Sequence, residues 1–281
     1  MVRAPRGDRD DPAYLVGHSD AETQRLIRQA AFRDPLTRRL FTDAGLSEGM
    51  SVLDLGSGAG DVALLAAEFV GPTGTVLGVD TDPGVLRTAR ARAAAAGLDN
   101  VTFLDGDLRT IEPDQTFDAV VERLALMYLA DPAAALRAVR THLRPGAIVA
   151  VQEPNWLPES FTVHPPTPLW QQVWSWMRAA VQHAGIDPHI GFNLHRIVTE
   201  AGLGEPQMRL EAAAVSATNS DVHDYAESTL RSMLPVLVES GIAGEDEIGI
   251  DTLAQRLRAE ALAAGSVLKV SDMVGAHAVV R

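Results

Sequence analysis

Val52-Leu53-Asp54-Leu55-Gly56-Ser57-Gly58-Ala59-Gly60 runs from an apolar stretch straight into three alternating glycines. Residues 51–55 have the length and apolarity of a buried strand. Glycine lets a backbone approach a ligand closely and adopt positive φ. The next stretch, 61–70, carries helical periodicity, and a helix N-terminus offers unpaired N–H groups. Twenty residues after Gly60, Asp80 closes a second apolar run, 75–80. An acidic side chain at that point can accept both ribose hydroxyls of an adenine nucleoside.

Two ligands suit this arrangement, NAD and S-adenosylmethionine, and the glycine spacing separates them. A dinucleotide turn reads Gly-x-Gly-x-x-Gly to seat a pyrophosphate. Here the third glycine comes one residue early and Asp61 occupies the sixth position. A carboxylate beside a pyrophosphate repels it. Asp54, just before the first glycine pair, suits a positively charged ligand instead.

Five segments in order resemble the class I S-adenosylmethionine-dependent methyltransferases. Residues 54–60 look like their motif I, and Asp80 matches their ribose-binding acid. Asp105-Gly106-Asp107 matches the adenine-contacting segment, residues 117–121 their fourth strand, and residues 143–147 the loop before strand five. The match covers about residues 46–153. More narrowly, Tyr14-Leu15-Val16-Gly17-His18-Ser19 resembles the N-terminal segment of a bacterial subgroup that modifies natural products. There the segment folds over the cofactor, making Tyr14 a cofactor and substrate contact candidate. Ser57 stands where many members carry Cys.

The resemblance implies S-adenosyl-L-methionine as cofactor and assigns roles. Gly56, Ser57 and Gly58 lie under the methionine part, near Asp54. Asp80 holds the ribose with Thr81 beside the adenine, and Gly106, Asp107 and Leu108 flank the ring. Glu122 and Arg123 face the sulfonium and the substrate pocket. The implied fold is α/β, a doubly wound and mostly parallel seven-stranded sheet with its last strand reversed, under a helical cap.

Further out, strands and helices alternate to residue 152, which implies parallel βαβ units. The expected organisation is a helical cap segment at 1–45, with a second helix starting at Pro35, and a cofactor-binding core at 46–153. A Trp/His-rich cap insertion follows at 154–191, then the rest of the core at 192–281 with a helical insertion at 219–265. Residues 245–264 read as one helix.

All four Trp lie between 156 and 176. Trp170 and Trp174, four apart, share a helix face. With Trp156 they are substrate-binding candidates, since a flat indole suits an aromatic or indole-like acceptor. Arg123, alone in an apolar run, needs a partner, either Glu122 or a substrate carboxylate. His18, His164 and Glu153 are the candidate bases. His189 and His195 do not match helical metal-ligand spacing, so no metal is expected.

Composition excludes whole classes. The 281 residues hold 24 basic and 37 acidic side chains, a net charge of −13, which disfavours nucleic acid as partner. With no Cys, disulfides, iron–sulfur clusters and Cys nucleophiles are impossible. Lys269 is the sole lysine, so no Gly-Lys-Ser/Thr phosphate loop exists. No targeting segment or membrane-length apolar run is read, so the chain is expected to be soluble and cytoplasmic, with a homodimer left open. The expected function is methyl transfer to a small molecule. Two alternatives stand beside it: structural use of the bound cofactor, as in a cyclase or binding module, and an NAD-dependent oxidoreductase.

Overall fold

The computed structural model describes residues 20–111 and 113–281, with side chains from Phe32 onward except Ser271. Four short apolar runs form parallel strands: β1 (Ser51–Leu55), β2 (Thr75–Asp80), β3 (Val101–Asp105) and β4 (Phe117–Arg123). They lie in the order β3-β2-β1-β4, and β5 (Leu143–Pro154) continues the sheet beside β4. Reversal comes with β8 (Val267–Val279), antiparallel to β5. β6 (Thr162–His164) and β7 (Gln207–Ser216) both pair with β8, again antiparallel. Helical crossovers are carried by α2 (Asp61–Val70), α3 (Pro83–Ala95), α4 (Pro132–Val139) and α6 (Ile190–Glu200), whereas β3 passes to β4 with no helix among the described residues.

Helix starts follow from local chemistry. Asp82 and Asp131 each precede a proline and accept a backbone N–H two or three residues on, from Gly84 at 2.7 Å and from Ala134 at 2.8 Å. An N-cap carboxylate satisfies an orphan amide, and proline at the first turn has none to lose.

Period-two alternation splits the strands between two cores. Leu53, Val120, Val149 and Val151 face the cluster that holds α4, α6 and the cap helices. Val52, Ala119, Val121, Ile148 and Ala150 face the cluster built with α2, α3 and α1 (Asp20–Ala44). The cap is formed by α5 (Pro168–His183), α7 (Ser220–Glu239) and α9 (Leu253–Ala263), which pack on one another.

Three expectations need correction. Among the described residues the sheet has eight strands, because β6 extends the β5 side of β8. Pro35 starts no second helix; α1 runs through it. The stretch 245–264 is two helices, α8 (Glu245–Ile248) and α9, since Gly249 at φ 54 is left-handed and ends the first. The N-terminal segment ending at Ser19 lies outside the described residues. Among the described residues no helix is long and apolar enough to cross a membrane.

Candidate active site

The carboxyl ends of β1 and β2 build a cradle. Gly56, Gly58 and Gly60 all have positive φ, from 51 to 86. A Cβ on Gly56 would stand 2.3 Å from the Ala125 Cβ, so the turn presses against the chain leaving β4. A Cβ on Gly58 would meet nothing within 4 Å. Glycine is there for its φ, and the space in front of the turn is open. Ser57 N–H donates to Val79 O at 2.9 Å, fixing the turn to β2.

Two carboxylates face this turn. Asp80 accepts from Gly58 N–H and from Asp82 N–H, each at 2.9 Å, which leaves lone pairs on both oxygens. Asp54 is 1% exposed, and among the described residues neither oxygen has a hydrogen-bond partner. Burial pushes its pKa well up, against the pull of the Arg123 charge. A group in that state is ready to regain its charge beside a cation. Asp61, expected to repel a pyrophosphate, is paired with Arg92 at 2.7 Å, which weakens that argument. Across the cradle, Gly106 N–H donates to Asp80 O at 3.0 Å. The Asp107 carboxylate is taken by Arg109 at 2.5 Å, which holds its pKa below the usual range. Leu108 is buried and Thr81 exposed.

Strand alternation sorts the next polar groups onto opposite faces. Arg123 and Gln152 point to α1. Arg123 Nη1 donates to Asp34 Oδ1 at 2.9 Å and to Thr37 Oγ1 at 3.0 Å, and Thr37 donates to Gln152 Oε1 at 2.7 Å. The partner of the buried arginine is therefore Asp34, not Glu122. Glu122 and Glu153 occupy the cap face. Glu122 Oε1 accepts from Ala125 N–H at 2.6 Å and Leu126 N–H at 3.1 Å, capping the turn after β4. That turn passes through Leu124 at φ 65, a conformation rarely used by a branched side chain. Glu153 is fully buried and accepts from Met127 N–H at 3.0 Å. Burial, then the Glu122 charge, raise its pKa well above the ordinary range. Its proton is thereby held more tightly than that of an exposed glutamate.

Beyond β5 the chain passes under the cap and lines an apolar cavity. Trp170, Val173, Trp174 and Met177 contribute from α5, and Tyr225, Ala226 and Thr229 from α7. Trp156 and Phe161 close it. The rings stack: Trp156 on Trp174 at 5.6 Å and Phe161 on Trp170 at 5.2 Å. Arg33 Nη2 donates to the Tyr225 hydroxyl at 2.9 Å, joining α1 to this wall.

All three tryptophans singled out from the sequence line the cavity. His164 is exposed on β6 and lines no part of it. Tyr14 and His18 lie outside the described residues. Sequence reasoning missed Asp34, Thr37, Phe161, Tyr225, Thr229 and His223. The last is buried, gives Nε2 to Ala217 O at 2.9 Å and is held below its usual pKa by burial. The i, i+3, i+4 stripe 222-225-226-229 in α7 was the available signal.

A glycine turn after β1, an acid after β2 and a capped pocket at the same sheet edge define a nucleoside-binding α/β protein of the class I methyltransferase type. A family model described as a methyltransferase domain matches residues 46–202, over half the chain, and the chain belongs to that family. S-adenosylmethionine is the family's cofactor. The open Gly58 turn, the unpartnered Asp54 carboxylate and Asp80 fit it.

Among curated relatives, aklanonic acid methyltransferase DauC of Streptomyces sp. (strain C5) is 35% identical over 141 residues, 49% of this chain and 64% of that one. Trans-aconitate 2-methyltransferase of Azoarcus sp. (strain BH72) is 32% identical over 48% of this chain and 51% of that one. The chain thus spans about half to two thirds of the length of the relatives it matches. The YcgJ protein of Bacillus subtilis, 16% identical, superposes with a TM-score of 0.56 over 87% of this chain and 97% of its own. A putative methyltransferase from Bacillus halodurans gives 0.55 at 16% identity over 86% and 97%. These two similarities concern the fold.

Proposed function

We propose that this protein transfers the methyl group of S-adenosylmethionine to a small aromatic molecule, in a tailoring step of natural-product type. The carrying observation is the buried Asp54 carboxylate, without partners, beside the open turn at Gly58. Asp54 and Gly56-Ser57-Gly58 hold the amino-acid end, and Asp80 holds the ribose. Gly106 and Leu108, with Thr81 and Asp107 at the edge, flank the base. When bound, the cofactor supplies a methyl carbon on a positively charged sulfur, which an acceptor atom takes directly.

The chain's own work is to align the acceptor and exclude water. The aromatic cavity performs both, since Trp156, Trp170 and Trp174 form its walls under the cap. Glu153 serves the turn at Met127, while His164 faces solvent. We assign deprotonation to an acceptor that is itself acidic and loses its proton to solvent, with His18 as the remaining candidate base. Similarity to an aklanonic acid methyltransferase supports the small-molecule reading.

The test is incubation with labelled methyl donor and a panel of hydroxylated aromatic acceptors. Label should appear in at least one organic-extractable product. Tight binding of S-adenosylhomocysteine with no label in any panel member would favour structural use of the cofactor.

A further inference from the structure

The cavity under the cap is rich in donors and poor in acceptors. Trp156 Nε1, Trp170 Nε1 and Thr229 Oγ1 are buried with no hydrogen-bond partner among the described residues. All three belong to the lining. An indole N–H can only donate. Tyr225 Oη accepts from Arg33, so its own hydrogen is left to give. The buried cation behind that oxygen strengthens the hydroxyl as a donor. No lining residue is a carboxylate, a carboxamide or an imidazole. Among the lining side chains the acceptors are the two hydroxyl oxygens and the weakly accepting Met177 sulfur. Leaving buried donors unpaired is costly, and a guest that brings acceptors removes the cost.

We propose that the acceptor molecule is a flat ring system carrying carbonyl or phenolic oxygens, bound through the N–H groups of Trp156 and Trp170 and the hydroxyl of Thr229. An indole, which brings a donor and no comparable acceptor, is the wrong complement. This rests on the methyltransferase reading and sharpens it, replacing the broader aromatic or indole-like expectation. The stacked rings supply the flat walls that such a body needs.

The space is tight as it stands, about 20 Å³, room for about one water. A ring enters by parting the stacks. An adjoining cleft of about 290 Å³ shares Phe161, Trp170 and Trp174 as its walls. It gives those side chains somewhere to move and gives the guest a way in from the β6 side.

The experiment is calorimetric titration of the full chain with juglone, a hydroxynaphthoquinone, and with an alkylindole of similar size. Wild type should bind juglone at least about ten times more tightly, a difference of about 1.4 kcal/mol. Thr229→Val keeps the shape and removes the hydroxyl. Trp170→Phe keeps a ring and removes the N–H. Each should lower juglone affinity several-fold and lower indole affinity by clearly less, so that the preference for juglone narrows. Equal or tighter indole binding in wild type, or no juglone binding, overturns the proposal, and so does an unchanged preference in both variants. A parallel titration with S-adenosylhomocysteine separates the two levels. If that ligand fails while juglone is preferred, the cofactor reading falls and the ring preference stands.

Discussion

Asp54 combines full burial with two unpartnered oxygens, so its charge depends on what comes to meet it. Without ligand its raised pKa favours the folded state below the ordinary value of 3.8, and that contribution is lost as pH rises through the raised value. An ammonium group arriving in the cradle reverses the balance, because it binds the ionised form. S-adenosylhomocysteine affinity should therefore climb with pH across the window above 3.8 and then level off. Asp54→Asn should flatten that profile and weaken binding about tenfold or more, while thermal stability holds or rises. Isothermal titration at several pH values checks both; an unchanged affinity in the variant would remove Asp54 from the site. Glu153 gives a second residue-scale test. Its folded pKa is also raised, so the neutral acid's contribution is complete below 4.5 and is lost as pH rises through the raised value. Glu153→Gln keeps the shape and cannot ionise. Its melting temperature should exceed wild type by a margin that grows with pH, with turnover retained. Abolished turnover at normal stability would restore Glu153 as a base.

At the scale of elements, period-two alternation does the sorting. It sends Arg123 and Gln152 to α1, and Glu122 and Glu153 to the cap face. Thr37 is the joint on the α1 side, accepting from Arg123 and donating to Gln152. Thr37→Val leaves two buried polar groups short of a partner and should cost about 2 kcal/mol in urea unfolding; a loss below about 0.5 kcal/mol would show the joint to be idle. The same scale shows what the sequence could and could not reveal. β1, β2 and α2 were legible because each carries its own local signal. β4 and β5 run two residues past their expected ends, to Arg123 and Pro154, because tertiary partners bury their polar tips. α1 continues through Pro35 and the helical run breaks at Gly249, where packing and one left-handed residue override the periodicity. In the site, the glycine turn and Asp80 could be read from spacing. Asp34, Tyr225 and Thr229 could not, since their importance comes from contacts made across 89 to 192 positions of chain or from a cavity wall shared by two helices.

Across the whole molecule, one sheet edge serves two tasks. The turn after β1 and the acid after β2 form the nucleoside cradle, and the chain leaving β5 enters the aromatic cavity under α5 and α7. α1 spans the two, with Asp34 and Thr37 on the Arg123 side and Arg33 on Tyr225. α1 thereby joins the cradle to the aromatic cavity, and under the proposed function the cap determines which acceptor fits. The acidic surface, net −13, matches a neutral or weakly charged small molecule better than a polyphosphate. Both tasks depend on the cradle taking S-adenosylmethionine rather than a dinucleotide. The most direct measurement is calorimetric titration of the full chain with S-adenosylhomocysteine, with NAD as the control. Saturable one-to-one binding of S-adenosylhomocysteine and none of NAD is the predicted result; binding of NAD alone would contradict it.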